Sequence, residues 1–183
     1  MLNITNSYPG KEFISFGAMS DQLVRLIRKA TIEGQTKPML AHVATPELNV
    51  HRIPGEKPNA QEAAGAYESE LRSFFGLAND ELPRLDLVLL GMGADGHTAS
   101  IFPGSEVLQE KRRLVAAPWI EKLQTYRITM TLPVLNNAAN VLFLVSGDDK
   151  AATVNEVLNG KPGKFPAQSI SPTNGSLTWC WTT

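Results

Sequence analysis

Residues 91–97 read Gly-Met-Gly-Ala-Asp-Gly-His, a run that gathers three glycines, a carboxylate and an imidazole. His97 can accept a proton near neutral pH. Glycines at 91, 93 and 96 let the chain turn sharply and approach a ligand closely, and their N–H groups can hold an anion or a developing oxyanion. The same letters satisfy GxGxxG. Asp95 and His97, however, stand where the opening turn of a helix would receive a pyrophosphate, so dinucleotide binding is not expected. No GK[ST] follows, which excludes a Walker loop.

The elements that must position this run alternate between helix and strand from about residue 60 onward, the pattern of an α/β fold with a mainly parallel sheet. Asn59 is expected to cap a helix over AQEAAGAYESELRSFF, with Ala63, Tyr67, Leu71 and Phe74 or Phe75 on one face and Gly76 ending it. Leu85–Leu90 (LDLVLL) reads as a strand buried on both faces, leading straight into the glycine run. Ligands of open α/β sheets bind at the carboxyl ends of strands, where this loop would lie. RRLVAAPWI and YRITMTLPVL offer further strands, and VLFLVSG reads as a second fully apolar one. Asp148 or Asp149 is expected to cap KAATVNEVLNG, ending at Gly160. PAQSISP and SLTWCW then close the chain as one or two short strands.

Length and composition bound the function classes. The 183 residues suffice for one domain with its own core. With 17 basic and 18 acidic residues, no global field favours nucleic acid or an anionic membrane, so any anion site must be local. The single cysteine, Cys180, provides neither a disulfide framework nor zinc spacing and fits a reducing compartment. No cationic leader or membrane-spanning apolar run is visible, and a cytoplasmic protein is expected.

LDLVLLGMGADGHTASIFPGS resembles the signature of the 6-phosphogluconolactonases, and the resemblance extends from about Gln35 to Trp179 through NVHRIPGE, TYRITMTLPVLNNA, SGDDKAA and FPAQSISP. It implies a Rossmann-like three-layer α/β fold and hydrolysis of 6-phospho-D-glucono-1,5-lactone in the pentose phosphate pathway. By that resemblance His97 is the general base toward water. Asp95 orients it or contacts sugar hydroxyls, and Gly93 to Gly96 shape the pocket. Arg127 and Lys150 match the phosphate-binding basic residues. Neither a cofactor nor a metal is implied, and the partner is a small sugar-phosphate lactone taken by a monomer. Two other readings stand beside it. One is an amino-sugar-phosphate isomerase or deaminase, against which TASIFP after His97 argues. The other is a sugar-phosphate-binding remnant without catalysis.

Residues 1–34 depart from the family. The glycine-rich SGGSTP-like loop, WGDER, PPD and SNY segments are absent, and at face value Ser20 caps an amphipathic helix with Leu23, Leu26, Ile27 and Ala30 on one face. With suitable synonymous codons, residues 12–21 read in a shifted frame as Val-His-Phe-Phe-Trp-Gly-Asp-Glu-Arg. Residues 25–33 likewise read through Pro-Asp to Ser-Asn-Tyr. The tail from Cys180 to Thr183 reads Leu-Asp-Asn in the same way. A frame slip near each end is therefore expected, leaving 35–183 as an incomplete domain that lacks N-terminal strands. Weak activity and association through exposed strand edges would follow.

Overall fold

The computed structural model describes residues 50–182, so the readings for residues 1–34 lie outside the described residues. It is an α/β structure with a parallel sheet. Helix α1 spans Ala60–Phe75 and follows the sequence reading closely. Asn59 accepts from the amides of Gln61 and Glu62, Gly76 closes the C-terminus, and Ala63, Ala64, Tyr67 and Leu71 are buried. Helix α1 is fastened to the segment around β2 (Val115–Ala116). Glu68 Oε2 accepts from the amides of Leu114 and Val115, and Gln61 Nε2 donates to the Ala117 carbonyl.

Strand β1 (Val88–Leu90) is shorter than the apolar run suggests. Leu87 is exposed, because apolar composition makes a strand buried on both faces only where neighbours cover both faces. Next come β2, β3 (Trp119–Ile120), β4 (Thr125–Tyr126) and β5 (Thr129–Met130), which form two small antiparallel pairs, β2 with β5 and β3 with β4. The LPVL segment is not strand but the short helix α2 (Leu132–Asn136), which has Pro133 in its first turn.

β6 (Asn140–Ser146) runs parallel to β1, with Leu90 opposite Phe143, and β7 (Ser176–Thr182) runs parallel to β6 on its other side. The order β1-β6-β7 makes a three-stranded parallel sheet among the described residues. VLFLVSG is buried on one face only, since Val141, Phe143 and Val145 point inward while Leu144 is exposed. Between β6 and β7 lies α3 (Ala151–Asn159). Neither Asp148 nor Asp149 caps it by its side chain. Both fall in a 3₁₀ turn, Asp148–Lys150, and Lys150 is the residue that enters the helix.

PAQS is likewise not a strand. Pro166–Ser169 form a 3₁₀ turn, drawn tight because Gln168 Oε1 accepts from the amides of Lys164 and Phe165. One apolar core joins α1, β1, β2, β6 and α3 through Tyr67, Leu71, Leu90, Val115, Phe143 and Val154. In the parallel sheet, the ends of β1 and β6 open on the same edge. The glycine run and the turn carrying Lys150 therefore leave the sheet side by side.

Candidate active site

The loop after β1 is closed on itself before it meets any other element. The Gly93 amide donates to the His97 carbonyl at 3.0 Å, the Gly96 amide to the Gly93 carbonyl at 2.9 Å, and Thr98 Oγ1 to the Gly91 carbonyl at 2.8 Å. The N–H groups of Gly93 and Gly96 are thus spent within the loop, and these two glycines act through shape rather than as anion donors. Gly93 leaves room for the imidazole, since a Cβ there would stand 2.2 Å from His97 Cε1. Gly96 has φ +73° and lies against Phe165, whose ring a Cβ would meet at 2.4 Å.

His97 is 6% exposed. Its Nδ1 lies 2.5 Å from Asp95 Oδ1, and its ring stacks on Phe102 with centroids 4.1 Å apart and planes 16° from parallel. An ionised carboxylate can only accept, so Asp95 fixes the proton on Nδ1 and leaves the lone pair on Nε2. The other oxygen of Asp95 accepts from Lys122 Nζ at 2.9 Å. Burial pushes the Asp95 carboxyl up, but the hydrogen bonds from His97 and Lys122 together outweigh it and hold the group at about 2. Asp95 is therefore ionised throughout the range in which an imidazole works as a base.

Three elements clamp the loop from outside. Thr153 Oγ1, in the first turn of α3, donates to the Ala94 carbonyl at 2.7 Å. The Ala167 amide donates to the Gly96 carbonyl at 3.1 Å, and buried Thr129 on β5 donates through Oγ1 to the Ala99 carbonyl. Ala99 and Ser100 adopt left-handed backbone, with φ of 47° and 62°. Non-glycine residues hold that conformation only where their surroundings dictate it.

Asp95, His97, Gly93 and Gly96 thus meet within one loop. Lys150 stands at the adjoining sheet edge, three residues before Thr153, with its ammonium on the Ser146 carbonyl at 3.0 Å. Arg127 lies two residues before Thr129, its amide donating to the Pro118 carbonyl. Lys122, Phe102 and Thr129 were not singled out from the sequence. For Lys122 no local signal existed, because its partner is 27 residues away and the β3–β4 hairpin that carries it is a separate element from the loop of Asp95.

The glucosamine-6-phosphate isomerase/6-phosphogluconolactonase family profile matches residues 22–179, reaching upstream of Gln35 where the resemblance was placed. The chain belongs to this family. Among its relatives, the 6-phosphogluconolactonase of Homo sapiens is 39% identical over 146 residues, covering 77% of this chain and 54% of that one. The 6-phosphogluconolactonase of Synechocystis is 38% identical over 142 residues, covering 76% and 58%. The crystal structure of the devB protein superposes with a TM-score of 0.71 at 29% identity, over 81% of this chain and 63% of that chain. The 6-phosphogluconolactonase from Trypanosoma cruzi gives a TM-score of 0.68 at 27% identity, over 81% and 62%. The chain spans just over half the length of these curated relatives. Among the described residues no helix is long and apolar enough to cross a membrane, and no three His, Cys, Asp or Glu side chains are grouped to hold a metal ion.

Proposed function

We propose that the chain hydrolyses 6-phospho-D-glucono-1,5-lactone to 6-phospho-D-gluconate, as a cytoplasmic monomer of the pentose phosphate pathway. The observation that carries this reading is a buried His97 whose Nδ1 is held by the ionised Asp95, at the carboxyl end of a parallel strand. Nε2 takes a proton from water, and the resulting hydroxide attacks the lactone carbonyl carbon. The carbonyl π pair moves onto oxygen. On collapse the bond to the ring oxygen breaks, and that oxygen takes the proton back from the His97 imidazolium. Asp95 stabilises the imidazolium while it lasts. Lys150 and Arg127 are the cations assigned to the remote phosphate, Lys150 from a helix start where an anion is favoured.

The test is the hydrolysis rate of freshly generated 6-phosphogluconolactone above its spontaneous rate, for this chain and for His97→Ala. Acceleration by the first and not the second is the expected result. Binding of 6-phosphogluconate with no acceleration by either would assign the chain to binding without turnover and end the catalytic reading. Ammonia release from glucosamine 6-phosphate would move the assignment to the deaminases instead.

A further inference from the structure

Asp95 uses both carboxylate oxygens. Oδ1 takes the His97 ring at 2.5 Å and the His97 amide at 3.3 Å, while Oδ2 takes Lys122 Nζ at 2.9 Å. The geometry points to Lys122 as a positioning residue that acts on the base through Asp95, holding the carboxylate so that Oδ1 stays on Nδ1 and offsetting part of the charge that the ring sees. As a role in catalysis this rests on the lactone-hydrolysis reading of the site. As a statement about the ring it does not.

Lys122 is the middle residue of a short turn that the side chains on either side of it hold together. The 3₁₀ turn Glu121–Leu123 closes on Gln124 in left-handed conformation. Gln124 Nε2 donates to both the carbonyl and the carboxylate of Glu121, and Trp119 Nε1 donates to the other Glu121 oxygen. Trp119 meets Tyr126 edge to face across the hairpin at 5.0 Å. The Lys122 side chain is 61% exposed, so its ion pair adds little to the stability of the fold. Its effect falls instead on the carboxylate that faces His97. With the cation in place, Asp95 is held from both sides, Oδ2 on Lys122 and Oδ1 on the imidazole. Without the cation, the full carboxylate charge faces the ring and favours imidazolium, which is useless as a base.

The other charged groups around the loop are otherwise engaged or belong to other turns. Lys164, behind Gly96, is paired with Glu156 at 2.7 Å. Lys150 rests on the Ser146 carbonyl beside Asp148 and Asp149, and Arg127 follows β4.

The experiment uses the full chain and two readouts on Lys122→Met, Lys122→Glu and Lys122→Arg. The first is the nitrogen and proton chemical shifts of the His97 ring across pH, identified by their loss in His97→Ala, which needs no turnover. The second is the pH dependence of lactone hydrolysis. Lys122→Met should move the ring titration, and with it the acid limb of the rate profile, to higher pH, with KM unchanged. Lys122→Glu should move both further in the same direction, and Lys122→Arg should keep both near wild type. A ring titration unmoved in both the Met and Glu variants would overturn the proposal. If the wild-type chain does not hydrolyse the lactone while the ring titration still shifts, the positioning stands and the lactonase reading falls.

Discussion

The described structure contains two histidine–carboxylate pairs of almost equal length. His97 and Asp95 meet at 2.5 Å, His51 and Glu70 at 2.6 Å. His51 stands before α1 and Glu70 lies within it, while the ring of His51 meets Phe74 edge to face at 4.4 Å and its carbonyl accepts from Tyr67 Oη. That pair ties an incoming segment to a helix. His97 instead sits at the end of a parallel strand, on a loop whose glycines admit the ring, with a lysine behind its carboxylate. A short contact between imidazole and carboxylate does not by itself make a base; the role proposed for His97 rests on what surrounds the pair.

The largest expected effect separates the two histidines directly. His97→Ala should lower the enzymatic rate by about 10²- to 10⁴-fold. His51→Ala should leave kcat/KM at the wild-type level and lower the unfolding temperature. Equal loss of rate in both would break the comparison. Next comes the carboxylate. An amide at 95 no longer enforces the Nδ1–H tautomer, so Asp95→Asn should cost roughly 10²-fold in kcat with the fold intact by circular dichroism, whereas Glu70→Gln should not touch kcat.

Gly96→Ala forces a Cβ into the Phe165 ring at a left-handed φ and should destabilise the protein by about 1–3 kcal/mol in urea titrations. The smallest effect is in the pH dependence of stability. The folded-state value of Asp95, about 2, lies below its ordinary value of 3.8. Its contribution is therefore fully present above pH 4 and is lost as the pH falls from there toward 2. Between pH 6 and pH 3 the urea midpoint of wild type should fall further than that of Asp95→Asn, a difference that isolates Asp95 from Glu56 and Glu110, both also held at about 2.

Local rules made some of this legible and long-range contacts hid the rest. α1 could be read to its caps because a helix carries its own period, its own capping side chain and its own stop. The order of β1, loop, β6 and α3 was also visible. Burial of β6 was not, since VLFLV is equally apolar on both faces and only the finished sheet leaves Leu144 outside. The aspartates before α3 have the right composition for a cap, yet the 3₁₀ turn passes that position to Lys150. In the site, Asp95 and His97 are neighbours in sequence and declared themselves. Lys122, Thr129 and Thr153 reach the loop from separate elements and had no pattern to announce them.

The Trp119–Tyr126 corner also gives the molecule an optical handle. The three tryptophans of the chain are Trp119, Trp179 and Trp181. Trp179 lies face to face on Phe143 at 3.8 Å in the sheet, Trp181 is half exposed near its end, and Trp119 rides on the hairpin that carries Lys122. With Trp179 and Trp181 replaced by phenylalanine, the remaining emission would come from a ring whose N–H is bonded to Glu121, one residue from the lysine on Asp95. Its colour and its accessibility to a soluble quencher would then report on the hairpin that carries Lys122, in a cuvette, without following any product.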